Sequence, residues 1–206
     1  FAEVTAKFGC DVVQYDWMPP AGGNIELIKA LNFLRNYEGF DIDEANRKVI
    51  AKVVAAQPVL KDNVPAMTVI PELNENNGRV ILHAGPPIEY KDMPATVQGS
   101  CVGAVLFEEW ADNEADARKL LESGEIKFIP CHHCNAVGPM GGITTQHMPV
   151  FVVQNETDGN YAYCQMNEGI GKVLRFGAYS EEVVNRLRWM RDVLGPTLGR
   201  AIRSIE

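Results

Sequence analysis

"GRVILHAGPP", residues 78–87, is the stretch on which the reading of the fold turns. Val80, Ile81 and Leu82 form an apolar run too short for a helix, and His83 leads into a Gly-Pro-Pro turn that ends it, which makes this the clearest strand in the chain. Working outward, "TVQGSCVGAVLFEEWA" (96–111) reads as a helix with Gly99, Ser100, Gly103 and Ala104 on one side, where another backbone can come very close. "NEADARKLLESG" is a capped surface helix from Asn113 to Gly124, and "IKFIP" (126–130) is a strand that feeds "CHHCNAVGPMGG" (131–142). "MPVFVVQNETDGNYAYCQMN" (148–167) has two strands around an Asp-Gly turn, a hairpin. Ser180 caps "EEVVNRLRWMRDVL" (181–194), which Gly195 and Pro196 close.

Upstream, residues 1–7 resemble the tail of a helix with Gly9 as its C-cap, and "DVVQYDW" (11–17) has the β-branched run of a buried strand. "MPPAGGN" then leads to a helix over 25–36 with Asn24 as N-cap. Asp43 caps a second helix, "EANRKVIAKVVAAQ", stopped by Pro58, and "PVLKDNVPAMTVI" (58–70) is strand and loop. Strands alternating with helices predict an α/β fold: a Rossmann-like, mostly parallel sheet flanked by helices, with one β-hairpin. Residues 1–206 read as a single α/β region with a sub-lobe boundary near 112–125.

The length of 206 residues suffices for one domain with a sizeable core. A net charge of −8, spread along the chain, argues against a nucleic-acid partner, whose phosphates need a basic face. Apolar runs break off well short of the ~20 residues of a membrane helix. Five cysteines, an odd number with no signal peptide ahead of them, point to the reducing cytoplasm. The chain opens in mid-pattern without an initiator Met, as a piece of a longer polypeptide would.

In α/β proteins ligands collect beyond the carboxyl ends of strands. Three loops with both glycine and proline fit that placement: "WMPPAGGN", "HAGPPIEYKDM" with His83 and Gly85, and "CHHCNAVGPMGG". In the third, His132 and His133 follow a strand, so alternation predicts one facing the core and one the cleft. A histidine there suits hydrogen bonding or proton transfer to a carbonyl or carboxylate, with Asn135 as an amide donor beside it. Gly138, Met140, Gly141 and Gly142 of "GPMGG" offer backbone N–H groups for an anion. A second reading of Cys131 and Cys134 is a zinc half-site completed by His83, His147, Cys101 or Cys164; a third is apolar fill at a strand end. In "NEGIGKVLRFGA" (167–178), Asn167, Lys172 and Arg175 are candidate anion ligands and Glu168 a candidate base.

"DWMPPAGGN", "AQPVL", "HAGPPIEYKDMPATVQGSCVGAVLFEEWA", "CHHCNAVGPMGGI" and "MPVFVVQNETDGNYAYCQMNEGIGKVLRFGA" together resemble the YlbE-like bacterial family, which includes the AllG-type subunit of oxamate carbamoyltransferase. The likeness is to the N-terminal half of family members, with a histidine expected where this chain has Cys134. It implies carbamoyl transfer between phosphate and the nitrogen of oxamate, in anaerobic allantoin breakdown, by an oligomeric assembly with FdrA-like partner subunits. In that reading His132 or His133 meets the carbonyl oxygen, while the glycine loop, Lys172 and Arg175 meet a small anionic substrate. No cofactor is implied. The alternatives are an assembly module that does no catalysis, with or without zinc, and a regulatory paralogue that binds ligand without converting it.

Overall fold

The structure, a computed structural model, describes residues 2–39, 41–138 and 142–205, and its contacts divide the chain into two units, Phe1–Ala55 and Ala56–Glu206. The first unit carries helices α1 (Ala2–Lys7), α2 (Ile25–Arg35) and α3 (Ile42–Ala55). Asn24 caps α2 as expected, its Oδ1 accepting from the Glu26 and Leu27 amides. The cap of α3 is Asp41, which accepts from Glu44 N at 2.9 Å, two residues ahead of the expected Asp43. The strand expected over 11–17 is absent: no described strand pairs with it, and without a partner ladder its residues have no regular secondary structure. None of the described residues of this unit is buried, and Tyr15 and Trp17 are 86% and 83% exposed.

The second unit holds β1 (Pro58–Pro65), β2 (Val80–His83), β3 (Lys127–Pro130), β4 (Ala136–Val137), β5 (Ile143–Thr144), β6 (Pro149–Asn155) and β7 (Tyr161–Gln165). They form two sheets, ordered β1-β6-β7-β4 and β3-β2-β5. Only β2/β3 and β4/β7 are parallel, while β1/β6, β6/β7 and β2/β5 are antiparallel. The fold is therefore α/β with two mixed sheets, which corrects the expectation of one mostly parallel sheet. The connections account for two of the pairings: the tight turn between β6 and β7 permits only antiparallel return, whereas β2 to β3 has helices to cross over with. The expected hairpin is present as β6 and β7, closed by the turn at Asp158 and Gly159. The tract 112–125 lies inside this unit.

β2 is buried along its whole length. Ile81 enters one apolar cluster, with residues of α4 (Ala95–Phe107), α5 (Glu114–Glu122) and α6 (Glu181–Trp189); Val80 and Leu82 enter another, with Ala66, Ile70, Leu73, Cys131, Cys134 and Val150. Each such side chain contributes ~1.5–3 kcal/mol when fully buried. α4 is apolar on all sides, and its small residues let it dock closely on Leu174–Gly177. A Cβ at Gly99 would lie 2.4 Å from the Gly177 carbonyl oxygen and one at Gly103 2.3 Å from Leu174 Cδ1. Ser100 Oγ donates to Leu174 O at 2.6 Å in the same seam. The small-residue face is thus used inside the unit.

The last helix does not stop at Gly195 and Pro196. It passes through a π turn at Met190–Leu194 and continues as α7 (Gly195–Arg203). Proline lacks an N–H, and its ring collides with the carbonyl four residues back. The turn widens ahead of it, Gly195 N donating to Met190 O, five residues back. α7 then lies directly on β1, where a Cβ at Gly199 would sit 2.5 Å from Asn63 O. Among the described residues no helix is long and apolar enough to cross a membrane.

The seam on α4 predicts that Gly99→Ala lowers stability by about 1–3 kcal/mol, the usual range for overpacking against a backbone that cannot move away. A shift of the urea midpoint with unchanged m-value would verify this; an unshifted midpoint would contradict it.

Candidate functional site

Three histidines gather where β2 and β3 end. His83 closes β2, opposite Pro130 of β3 on one side and Ile143 of β5 on the other. It is buried, at 1% exposure, and its Nδ1 lies 3.0 Å from Ala84 O. A carbonyl can only accept, so Nδ1 carries the proton and Nε2 the lone pair. His132 and His133 both act electrostatically on His83. Their rings are 4.5 Å apart, edge to face, and both residues are exposed. Strand alternation does not sort them, because β3 ends at Pro130 and Cys131–Cys134 is a 3-10 turn. Asn135 closes that turn in the left-handed conformation, φ 52°, with its side chain at the surface.

The same turn buries Cys131 and Cys134 in the core beneath the histidines. Burial pushes their thiols up to about 12 and about 11, respectively, which disfavours the thiolate form that zinc binds. Among the described residues, no three or more His, Cys, Asp or Glu side chains are grouped to hold a metal.

Next to the histidines, the glycine loop is pinched at its base. A Cβ at Gly142 would fall 2.7 Å from Gly138 Cα and 2.8 Å from Gln165 Oε1. Gly142 O accepts from Ala84 N at 3.0 Å, which ties this loop to the one after His83. Gly85 has φ 92° and open space where a side chain would be. Met140 and Gly141 lie outside the described residues.

Gln165 connects this rim to the loop 167–175. With Glu168 and Arg175 it lines a cavity of about 20 Å³, room for about one water. Arg175 is spent on its own loop: Nη1 meets Asn167 Oδ1 and Glu168 Oε2, Nη2 donates to Gly169 O at 2.7 Å, and the guanidinium lies over Phe176. Its backbone amide also donates to Glu168 Oε1. Asn167, Glu168 and Arg175 are therefore the staple of the loop. Lys172 is exposed and has no ion pair among the described residues; its carbonyl accepts from Arg186 Nη1 at 2.9 Å.

A further acid–base pair escaped the sequence reading, which placed His147 only among metal candidates. Glu108, at the end of α4, has its side chain 1% exposed. It accepts from Thr145 Oγ1 at 2.5 Å, from His147 N at 3.0 Å and from His147 Nδ1 at 2.5 Å. A carboxylate directly after the apolar end of a buried helix was the available signal; its partner 39 residues on was not foreseeable.

The geometry defines an α/β protein with an imidazole-rich rim and a pinched glycine loop at the ends of a parallel strand pair. The model of the family "Oxamate carbamoyltransferase subunit AllG" matches residues 126–206. The oxamate carbamoyltransferase subunit AllG of Escherichia coli K12 is 56% identical over 165 residues, covering 80% of this chain and 39% of that protein. The uncharacterized protein YahG of the same strain is 39% identical over 206 residues, covering 100% of this chain and 43% of its own length. A crystal structure of a conserved protein of unknown function from Enterococcus faecalis V583 matches with a TM-score of 0.74 at 43% identity, over 80% of this chain and 38% of that one. The chain is similar over these spans to the AllG-type proteins of the YlbE-like family, and it spans about two fifths of the length of these relatives.

His83 ties the site to stability. Burial, the largest cause, holds its imidazole below the ordinary histidine value, assisted by His132 and His133 and opposed by the hydrogen bond to Ala84. Between the lowered folded value and ~6.5, the unfolded chain binds the proton that the folded one rejects. This contribution is complete above about pH 6.5 and is lost as pH falls below it. Urea midpoints should therefore drop between about pH 7.5 and pH 5.5, and His83→Gln should flatten that part of the profile. A profile identical in parent and variant would contradict the assignment.

Proposed function

We propose that this chain supplies part of a carbamoyltransferase subunit that acts on oxamate with carbamoyl phosphate, working with FdrA-like partner subunits in an oligomeric, cytoplasmic assembly. The observation that carries the reading is the gathering of His83, His132 and His133 beside the pinched glycine loop, in a chain 56% identical over 165 residues to a protein of that name. In the reaction the oxamate nitrogen attacks the carbamoyl carbon, the carbonyl oxygen gains charge, and phosphate departs. His132 and His133 are the exposed donors for that oxygen, since a preformed donor there is stabilising only as the charge develops. Gly138 and Gly142 offer amides to phosphate oxygens, and Lys172 an exposed cation for an anionic group. Asn135 presents a carboxamide at the same edge. His83, protonated at Nδ1, presents an acceptor at Nε2. Asn167, Glu168 and Arg175 hold the loop that carries Lys172 and act as positioning residues.

The first unit supports membership of an assembly. Its Tyr15, Trp17, Phe33 and Val53 are each exposed large apolar side chains, of the kind that further protein covers. A role as a non-catalytic assembly module makes the opposite forecast for the histidines, so one experiment separates the two readings. In the complete assembly, replacing His132 and His133 by Ala should lower carbamoyl transfer by about 10²-fold or more, the usual loss when such a donor is removed. Subunit association, read by gel filtration, should be unchanged. An unchanged turnover number would overturn the catalytic reading and favour the module.

A further inference from the structure

An open groove of about 400 Å³ lies between β1, the turn that joins β5 to β6, and the final helix, and none of the residues singled out in the sequence as substrate-binding lines it. Four side chains able to meet an anion line it together: His147, Arg191, Arg200 and Arg203. Asn63 lies beneath, closed off by the final helix, and takes no part. A Cβ at Gly195 would come within 3.0 Å of its Oδ1, and neither polar atom of its side chain has a partner.

Glu108 sets His147 apart from the other histidines. Among the described residues, His147 is the one histidine in contact with a carboxylate, its Nδ1 lying 2.5 Å from Glu108 Oε2. The Glu108 side chain is buried and also accepts from Thr145 Oγ1 and from His147 N, so the imidazole is clamped by its own backbone as well as by its ring. A carboxylate accepts, so the proton is on Nδ1, and Nε2 keeps the lone pair on a half-exposed ring. An imidazole held this way is suited to nucleophilic attack from Nε2, because the positive charge that the ring gains on attack is met by the carboxylate behind it.

The arginines are on one side of the helix because of the π turn. In a regular helix, nine residues from Arg191 to Arg200 would place them about 180° apart, and twelve to Arg203 about 120°. The turn at 190–194 acts as one inserted residue, which reduces those separations to about 80° and about 20°. Two have carboxylate partners: Arg203 meets Asp62, and Arg191 meets Asp192 at 2.7 and 3.0 Å while lying over Phe107. Arg200 contacts only Thr197 Oγ1, at 3.3 Å, so its charge is uncompensated among the described residues.

We propose that His147 is a phosphoryl-accepting nucleophile, with Glu108 as its positioning residue and Arg200 as the cation for the phosphoryl oxygens. Guanidiniums match such oxygens with two parallel N–H donors. Nε2 attacks the phosphorus of a small acyl phosphate; the N–P bond forms, the P–O bond to the acyl oxygen breaks, and the carboxylate leaves with that electron pair. No proton moves: the ring becomes a cation with Nδ1–H still donated to Glu108. A bond from phosphorus to imidazole is itself reactive, so the donor has to be an activated phosphoryl group, which an acyl phosphate is and inorganic phosphate is not. The assignment concerns residues other than the histidine rim and the cleavage of a different bond from that in carbamoyl transfer. Its readout is modification of the 206-residue chain, separate from turnover of the complete assembly.

The test is incubation of the chain with acetyl phosphate, followed by intact-mass measurement and site mapping under alkaline conditions, with inorganic phosphate as the non-donating control. One phosphoryl group should be gained at His147, labile in acid and stable in alkali, with the exposed His132 and His133 unmodified as internal controls. His147→Gln, at an exposed position, should abolish the gain. Arg200→Gln, also exposed, should slow it by about tenfold or more, the usual effect of losing a charge-assisted hydrogen bond. Glu108→Gln should slow it by about 10²-fold or more, because an amide does not oppose the ring charge; the two exposed variants decide the matter whatever that buried change does to folding. Absence of an adduct, an equal yield in His147→Gln, or a rate indifferent to Arg200→Gln would each overturn the proposal.

Discussion

Everything in the second unit follows from the need to cover both faces of β2. A four-residue strand with no exposed side chain has to be sandwiched, Ile81 against the helices and Val80 with Leu82 against the layer that includes Cys131, Cys134 and Val150. β3 pairs along the whole of one edge of β2, and β5 along the carboxyl-terminal half of the other. The carboxyl end of β2 is then the place where the chain leaves the sandwich, and the loops after β2 and β3 emerge together. His83 sits at that exit, half core and half site, which is why its protonation is coupled to folding.

Polar groups follow a second constraint, the balance between pairing and availability. Arg175 seemed a ligand for an anion, yet its donors are consumed by Asn167, Glu168 and Gly169. Arg200, on a helix that a proline was expected to end, keeps its charge free of any carboxylate among the described residues. The difference is geometric. Arg175 is folded back onto the carbonyl and carboxylate of its own loop, whereas Arg200 has only the Thr197 hydroxyl within reach.

Local patterns were legible where local forces dominate. The Asn24 cap, the hairpin around Asp158 and Gly159, the strand at Val80–His83 and the small-residue face of α4 all rest on interactions within a few residues or on a plain lack of side chains. Pattern reading failed where distant chain was needed. Residues 11–17 have strand composition without a neighbouring strand, and the expected parallel sheet gave way to mixed sheets because connection lengths, not composition, set direction. Pro196 was read as a stop signal, but the packing of Gly199 on β1 outweighs the missing hydrogen bond and the helix widens instead of ending.

Sequence alone determined the locally specified elements, the family resemblance and the chemical inventory of the histidine rim, because each is written in contiguous residues. Only the tertiary structure decided which groups are usable. It paired Glu108 with His147 across 39 positions, left Asn63 without a partner, turned Arg191, Arg200 and Arg203 to one side and spent Arg175 internally. The physical reason is that the state of a polar group is set by what the fold puts within about 3 Å of it, and those neighbours come from remote parts of the chain.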